Sequence, residues 1–347
     1  MTDKKQSPDY AKMSHATAIS LGLMHNRMYR GAVNRCVNLL VHYPEGCSAN
    51  CAYCGLAKKR PGTYGEKSFI HVEWPLFSMA EIIDAVNRAP GYVKRTCISM
   101  ITNGKCKAHT LHMTEQLTLA TKLPVSILTS PTILDMDFLN EAKRCGADKI
   151  GVALDLATPA LFDKYRGKGV LGPHRWETYW QFLKDGLRVF GTHNVGAHLM
   201  VGMGETEKEM VTLMNQLWQM GVDNHLFSFF AEENSSLGNM PQPPWPTYLR
   251  IQLARYLIEN EISSPDQMTF NDEGQIADFG VTPERMETMI HSGIPFMTTG
   301  CLDGNGEVAC NRPFGNCLPD VQQWNYPYPP NREEINLILE NISGSAA

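Results

Sequence analysis

The stretch Cys36-Val37-Asn38-Leu39-Leu40-Val41-His42-Tyr43-Pro44-Glu45-Gly46-Cys47-Ser48-Ala49-Asn50-Cys51-Ala52-Tyr53-Cys54-Gly55 joins an apolar run to a cysteine loop. Its first seven residues read as a buried strand. Cys47, Cys51 and Cys54 follow with the spacing C-x3-C-x2-C and an aromatic residue just ahead of the third. Three thiolates on one short loop can hold three irons of a [4Fe–4S] cube and leave the fourth iron without a protein ligand. That open iron can bind a small molecule and pass it an electron. Zinc suits the loop less well. Structural zinc takes four ligands, often in C-x2-C pairs, and no neighbouring His or Cys completes a local set.

Beyond this stretch the chain alternates short apolar runs with amphipathic ones. Strands are predicted at 36–42, 96–101, 125–128, 149–154, 195–201 and 225–230, with helices near 79–89, 108–122, 136–145, 174–188 and 206–220 between them. Strand-then-helix order argues for parallel strands with crossover helices. Six such units favour an α/β fold of the (β/α) barrel type, partial or complete, whose chemistry collects at the C-terminal ends of the strands. The loop 43–55 follows the first strand and belongs at that face. An N-terminal helix is predicted within 9–30, and 231–247, rich in Pro, Asn and Ser, reads as a long loop. A helix at 247–260, a strand near 268–271, helices at 282–291 and 332–342, and Gly/Pro/Cys-rich sequence over 293–330 complete the chain. This divides it into an N-terminal segment 1–30, a barrel 31–292 and a Cys-rich C-terminal extension 293–347.

With 347 residues and a formal net charge of −5, the chain can bury a large core and shows neither a nucleic-acid nor a membrane-surface signature. No apolar run reaches the roughly 18 residues of a spanning helix. The polar N-terminus lacks the apolar core of a signal peptide, so the expected location is the cytoplasm. Ten cysteines in a reducing compartment point to metal binding or catalysis rather than disulfides.

Two further groups carry chemistry. Gly202-Met203-Gly204-Glu205-Thr206 follows the fifth predicted strand and opens a helix, where a backbone can approach a ligand closely; its bland reading is a plain strand-to-helix turn. Cys301, Cys310 and Cys317, spaced C-x8-C-x6-C in glycine-rich sequence, are poor core material and suggest a second metal centre, zinc or a further iron–sulfur cluster. Cys36, Cys97, a non-cysteine group or exogenous sulfide could complete it. Cys106 and Cys145 read as structural, Met210, Met214 and Met220 as core filling, and His174, Arg175, Trp176 and His291 as packed or solvated helix residues. Glu232 and Glu233 read as a solvated loop.

The cysteine loop, Tyr53 and the Gly202–Thr206 turn together resemble the radical S-adenosylmethionine (SAM) superfamily. The resemblance implies a [4Fe–4S] cluster on Cys47, Cys51 and Cys54 that chelates SAM and yields a 5′-deoxyadenosyl radical. It places Tyr53 along the adenine, Met200 as an apolar contact to it, Asp155 at the ribose hydroxyls and Arg175 near the methionyl carboxylate, with 99–102 as the amine-binding backbone. For Asp155 a helix N-cap before Pro159 is the bland alternative, and for Arg175 a solvent-facing side chain.

The stretches 149–176 and 196–255, with Cys310-Asn311-Arg312-Pro313-Phe314 and Asn325-Tyr326-Pro327, resemble biotin-synthase-related proteins, and among them most the two-component lipoyl synthases. The implied activity is sulfurtransferase: sulfur from an auxiliary iron–sulfur cluster, on Cys301, Cys310 and Cys317, enters unactivated C–H bonds of an octanoyl group. The implied partners are an octanoylated lipoyl carrier protein, a paralogous radical SAM protein and an electron donor such as ferredoxin or flavodoxin. Biotin synthase fits less well, because only Cys97 matches its barrel cysteines; 125–128 has none, nor does Ala197-His198-Leu199. The competing readings are a radical SAM enzyme whose second cluster only moves electrons or anchors substrate, and a cluster-assembly factor without turnover.

Overall fold

An antiparallel start leads into the parallel units. The computed structural model describes residues 5–63, 67, 72, 74–315, 317–320 and 322–343. Strand β1 (Tyr10–Met13) and helix α1 (His15–Ser20) precede β2 (Cys36–Val41), β3 (Leu76–Ser78) and α2 (Met79–Asn87). Then come β4 (Arg95–Ser99), α3 (Cys106–Ala120), β5 (Val125–Thr129), α4 (Met136–Arg144), β6 (Ala147–Asp155), α5 (Pro159–Tyr165) and α6 (Trp176–Phe190). The series continues with β7 (Val195–Val201), α7 (Glu207–Gln219), β8 (Val222–Ser228) and α8 (Trp245–Glu259). A small hairpin of β9 (Thr269–Phe270) and β10 (Ile276–Asp278), then α9 (Pro283–Ser292) and α10 (Arg332–Ser343), end the described chain.

The main sheet runs β3-β1-β2-β4-β5-β6-β7-β8, and β2 to β8 in that order pair in parallel. This is the expected barrel of six β/α units, with β3 and β8 as edges. The predicted helix over 9–30 is corrected. Tyr10–Met13 pairs antiparallel with both β2 and β3, and only six residues after the Ser14 cap are helical. Gly22 and Gly31, both in the left-handed region that favours glycine, end any continuation.

The helices start where their caps dictate. Ser78 with Glu81 and Thr206 with Glu209 form capping boxes that satisfy the first free amides of α2 and α7. Alternation along each strand splits the core in two. Ile98, Ile127, Val152, Leu199 and Leu226 belong with the helical face, where Met113, Phe138, Leu183, Met210 and Met214 are buried. Ser99, Leu128, Ala153, His198 and Phe227 face the barrel interior instead.

The segment after α9 closes the N-terminal end of the barrel. Leu226 N donates to Thr299 Oγ1 (3.2 Å), Arg95 Nη1 to Leu302 O (3.2 Å) and Arg35 N to Asn311 Oδ1 (2.9 Å). Cys301 and Cys310 are thereby delivered into the barrel floor. Among the described residues no helix is long and apolar enough to cross a membrane.

One buried ion pair ties α7, α8 and β10 together. Glu207 accepts from Arg250 Nε (3.0 Å) and from Ile276 N (2.8 Å), and both side chains are almost fully covered. Removing one partner strands a buried charge. Glu207→Ala is therefore expected to lower unfolding free energy by about 3–5 kcal/mol, read as a shifted urea midpoint.

Candidate active site

The cysteine loop is held by backbone bonds to three neighbours. Ser48 N donates to Thr102 O (2.8 Å) beyond β4, Ala52 N to Tyr165 O (2.8 Å) in α5, and Leu237 N to Ala52 O (3.2 Å). Asn103 Nδ2 fixes the Gly46 carbonyl (3.0 Å), where the chain turns through φ +70°. Cys47, Cys51 and Cys54 line one cavity of about 210 Å³ at the C-terminal end of the strands. Burial pushes the Cys51 thiol up to about 11 against the pull of Arg166, with Cys47 adding to the rise. Cys54 is raised well above the ordinary range, by burial and then by Cys51 and Cys47. Three thiols lining one cavity suit a cationic centre, which removes their protons on binding. The donor set thus fits the three-thiolate iron–sulfur site.

Tyr53 of the loop joins a half-buried group with Asp155 and Arg166. Tyr53 Oη donates to Asp155 Oδ2 (2.6 Å), and Arg166 Nη1 donates to the same oxygen (2.6 Å). Asp155 adopts φ +66° where the β6 register slips between Ala153 and Asp155. A non-glycine residue in that region is held by its surroundings. Here Arg166 supplies the hold: it also donates to the Ala153 carbonyl and stacks 4.8 Å from the Tyr179 ring. The cap reading of Asp155 is excluded, because Thr158 caps α5 through Leu161 N (3.2 Å).

The other predicted residues divide. Met200 and residues 99–102 line the cavity. Arg175 does not; its guanidinium donates to the carbonyls of Gly172 (3.0 Å) and His174 (2.6 Å). The cations on the cavity wall are Arg312 and Arg166, the latter looking like a solvated residue within Asp163-Lys164-Tyr165-Arg166-Gly167. In the Gly202–Thr206 turn the amides of Gly202 and Met203 are spent on the Glu205 carboxylate (2.6 and 2.9 Å). A Cβ at Gly202 would meet Pro243 at 2.7 Å, so the glycine serves chain packing.

Three further residues line the wall: His174, read as packed or solvated, Glu232, read as a solvated loop, and His198, which the sequence did not single out. His174 is buried between Thr132 Oγ1 and Tyr179 Oη, and burial and then Arg166 push it down to about 2, so it is neutral. Glu232 is only 5% exposed and faces the cavity. His198 lines the wall against Phe227 and His225, and burial keeps it neutral.

The C-terminal trio is also corrected. Cys317 is buried and its Sγ donates to Gln323 Oε1 (3.2 Å). Cys301 and Cys310 instead meet Cys36 of β2 and Cys97 of β4 on the barrel floor. Cys36, Cys97 and Cys310 pack with Leu128 and Ala153, and Cys310 N donates to Cys301 O (3.1 Å). Cys36 hydrogen-bonds Cys310 and, with Arg312, Asn38 and Arg95, holds its thiol down at about 6 against burial. Burial raises Cys36, Cys97 and Cys301, the last to about 12. Fully buried Arg95, paired with Asp148 Oδ1 (2.6 Å), lies beneath the group. Among the described residues no three His, Cys, Asp or Glu side chains converge closely enough to hold a single metal ion.

Leu128 and Ala153 touch both the cavity and the floor thiols, so one interior joins the two groups. Cys106 and Cys145 stay outside it, Cys106 beside Thr110 Oγ1 (3.7 Å) and Cys145 at the end of α4.

Asp155→Asn removes a charge-assisted acceptor that Tyr53 and Arg166 share. It is expected to weaken SAM binding about tenfold in equilibrium dialysis, with iron content at the cysteine loop unchanged.

The family model of the radical SAM superfamily matches residues 41–217, more than half of the chain. No curated protein matches. Methylornithine synthase (PylB) superposes with a TM-score of 0.50 at 12% identity, covering 71% of this chain and 67% of that one. The FeFe-hydrogenase maturase HydG from Carboxydothermus hydrogenoformans gives 0.47 at 13% identity, over 65% of this chain and 52% of its own. The radical SAM methyltransferase TsrM from Kitasatospora setae gives 0.40 at 13%, over 81% and 49%. With the parallel sheet and the cysteine loop at its C-terminal face, the family match makes this chain a member of the radical SAM superfamily.

Proposed function

We propose that the protein is a radical SAM sulfurtransferase that inserts sulfur into C–H bonds of an octanoyl group on a lipoyl carrier protein. The observation that carries the reading is the single interior running from the Cys47–Cys54 loop to the four floor thiols. In this reading Cys47, Cys51 and Cys54 would hold a [4Fe–4S] cluster that with SAM would supply hydrogen-abstracting chemistry, and Cys36, Cys97, Cys301 and Cys310 would hold an iron–sulfur centre that would supply the sulfur atom.

The chain's own part is placement. Leu40, Met100, Leu128, Met200, Phe227 and Phe230 give an apolar wall, and each methylene taken from water contributes about 0.8 kcal/mol. An acyl chain held there lies between radical source and sulfur source, which turns a two-body encounter into a positioned one. Asp155 and Arg166 hold the polar end of SAM away from that wall, and neutral His174 adds no charge to it. A paralogous radical SAM protein serving a second insertion and a small redox protein as electron donor belong to the same proposal.

The test uses anaerobically reconstituted protein with SAM, reductant and an octanoyl-lysyl peptide, with and without the paralogue. Thiolated octanoyl product is expected; its absence under both conditions sinks the assignment. Sulfide counted before and after one turnover separates a consumed centre from one that relays electrons or anchors substrate. Cys97→Ser and Cys310→Ser are expected to keep 5′-deoxyadenosine formation, lose the product and lose the second centre's iron. Cys317→Ser is expected to keep all three.

A further inference from the structure

Loop 47–60 and the arc 164–172 form one side of the cavity mouth, and hydrogen bonds lock them together. Lys59 N donates to Asn50 Oδ1 (3.1 Å), and Asn50 Nδ2 donates to Val170 O (3.0 Å). With the bond from Ala52 N to Tyr165 O, these hold the segment that carries Lys58 and Lys59 against the one that carries Lys164 and Lys168. All four lysines are exposed, and none forms an ion pair among the described residues. Asp163 lies on the same arc but gives Oδ1 to the Lys168 amide (3.0 Å). The whole chain carries −5, so this concentration of positive charge runs against the overall balance. Such a patch steers an anionic partner.

At its edge stands Leu171, 82% exposed, with φ +55°. The left-handed region is strained for a leucine, and an exposed apolar side chain returns nothing in the free protein. The turn is fixed by Gly172 N donating to Gly167 O (2.7 Å). Cations beside a rigidly presented leucine match a protein surface with carboxylates around an apolar spot. A single-stranded nucleic acid would be met by aromatic stacking platforms instead.

We propose that this rim docks an acidic segment of the protein that brings the substrate arm to the cavity. The proposal rests on the functional reading above only in taking the substrate as protein-borne. Docking holds the partner beside the mouth, so that a flexible acylated lysine reaches the interior at high effective concentration.

The probes are fluorescein-labelled octanoyl-lysyl peptides flanked by Asp and Glu or by Asn and Gln, and an oligothymidylate of the same charge. In anisotropy titrations the acidic peptide is expected to bind about tenfold more tightly than the neutral one and to weaken as salt is raised. The K58E/K59E/K168E variant should erase that advantage and its salt dependence, and K58Q/K59Q/K168Q should remove part of it. Leu171→Asn, which tolerates the same backbone, should weaken binding a few-fold. All variants should still form 5′-deoxyadenosine from SAM and reductant, which shows that fold and cysteine loop are intact.

Equal binding of acidic and neutral peptides, equal binding of the oligothymidylate, or wild-type affinity in the charge-reversed variant overturns the proposal. If the acidic peptide binds as expected but is never thiolated, docking stands and the sulfur-insertion reading falls.

Discussion

The pairing of β2 with β4, Cys36 opposite Arg95 and Leu40 opposite Ser99, is the constraint on which the interior depends. Side chains alternate with period two, so a slip of one residue would turn Cys36, Asn38 and Leu40 out towards the helices. The same alternation puts Cys97 and Ser99 inside, one above the other. Floor thiols and cavity wall are therefore successive layers of one set of strands. Small residues make the layers fit. Gly196 has His225 Nε2 at 2.4 Å from where its Cβ would stand, so that imidazole lies across space that only glycine leaves open.

Two arginines organise the electrostatics at opposite ends. Arg166 gathers Asp155, the Ala153 carbonyl and the Tyr179 ring near the mouth, and it opposes the desolvation of Cys51. Arg95 sits beneath the floor thiols, with Asp148 as its counter-ion and the Leu302 carbonyl as a tether for the C-terminal segment. In a low-dielectric interior each cation favours thiolate over thiol. The two cysteine groups thus each lie beside a buried cation supplied by a different element of the fold. Arg312, over the Phe227 ring and next to Cys310, sits where cavity and floor meet.

Local chemistry was legible wherever spacing along the chain equals spacing in space. The cysteine loop, the β/α rhythm, Met200 and the strand-end place of Asp155 are of this kind. Legibility failed where two elements had to meet. Arg166 is eleven residues from Asp155 and looks like a surface cation, whereas the left-handed bend at Asp155 swings it inwards. Arg175 looks equivalent but starts α6 and spends its donors on the preceding carbonyls. The turn at Gly202 resembles a ligand cradle, yet Glu205 three residues on has already taken its amides.

By itself the sequence determined the class of strands and helices and the presence of a three-thiolate loop at the C-terminal face, because period and motif spacing are local properties. The tertiary structure alone decided which further cysteines stand together. Cys317 is seven residues from Cys310 and pairs with Gln323, while Cys36 and Cys97, more than two hundred residues away, complete the group. The reason is topological. A chain that crosses the barrel floor meets the first residues of β2 and β4 there, and no periodicity records where a crossing segment comes to rest.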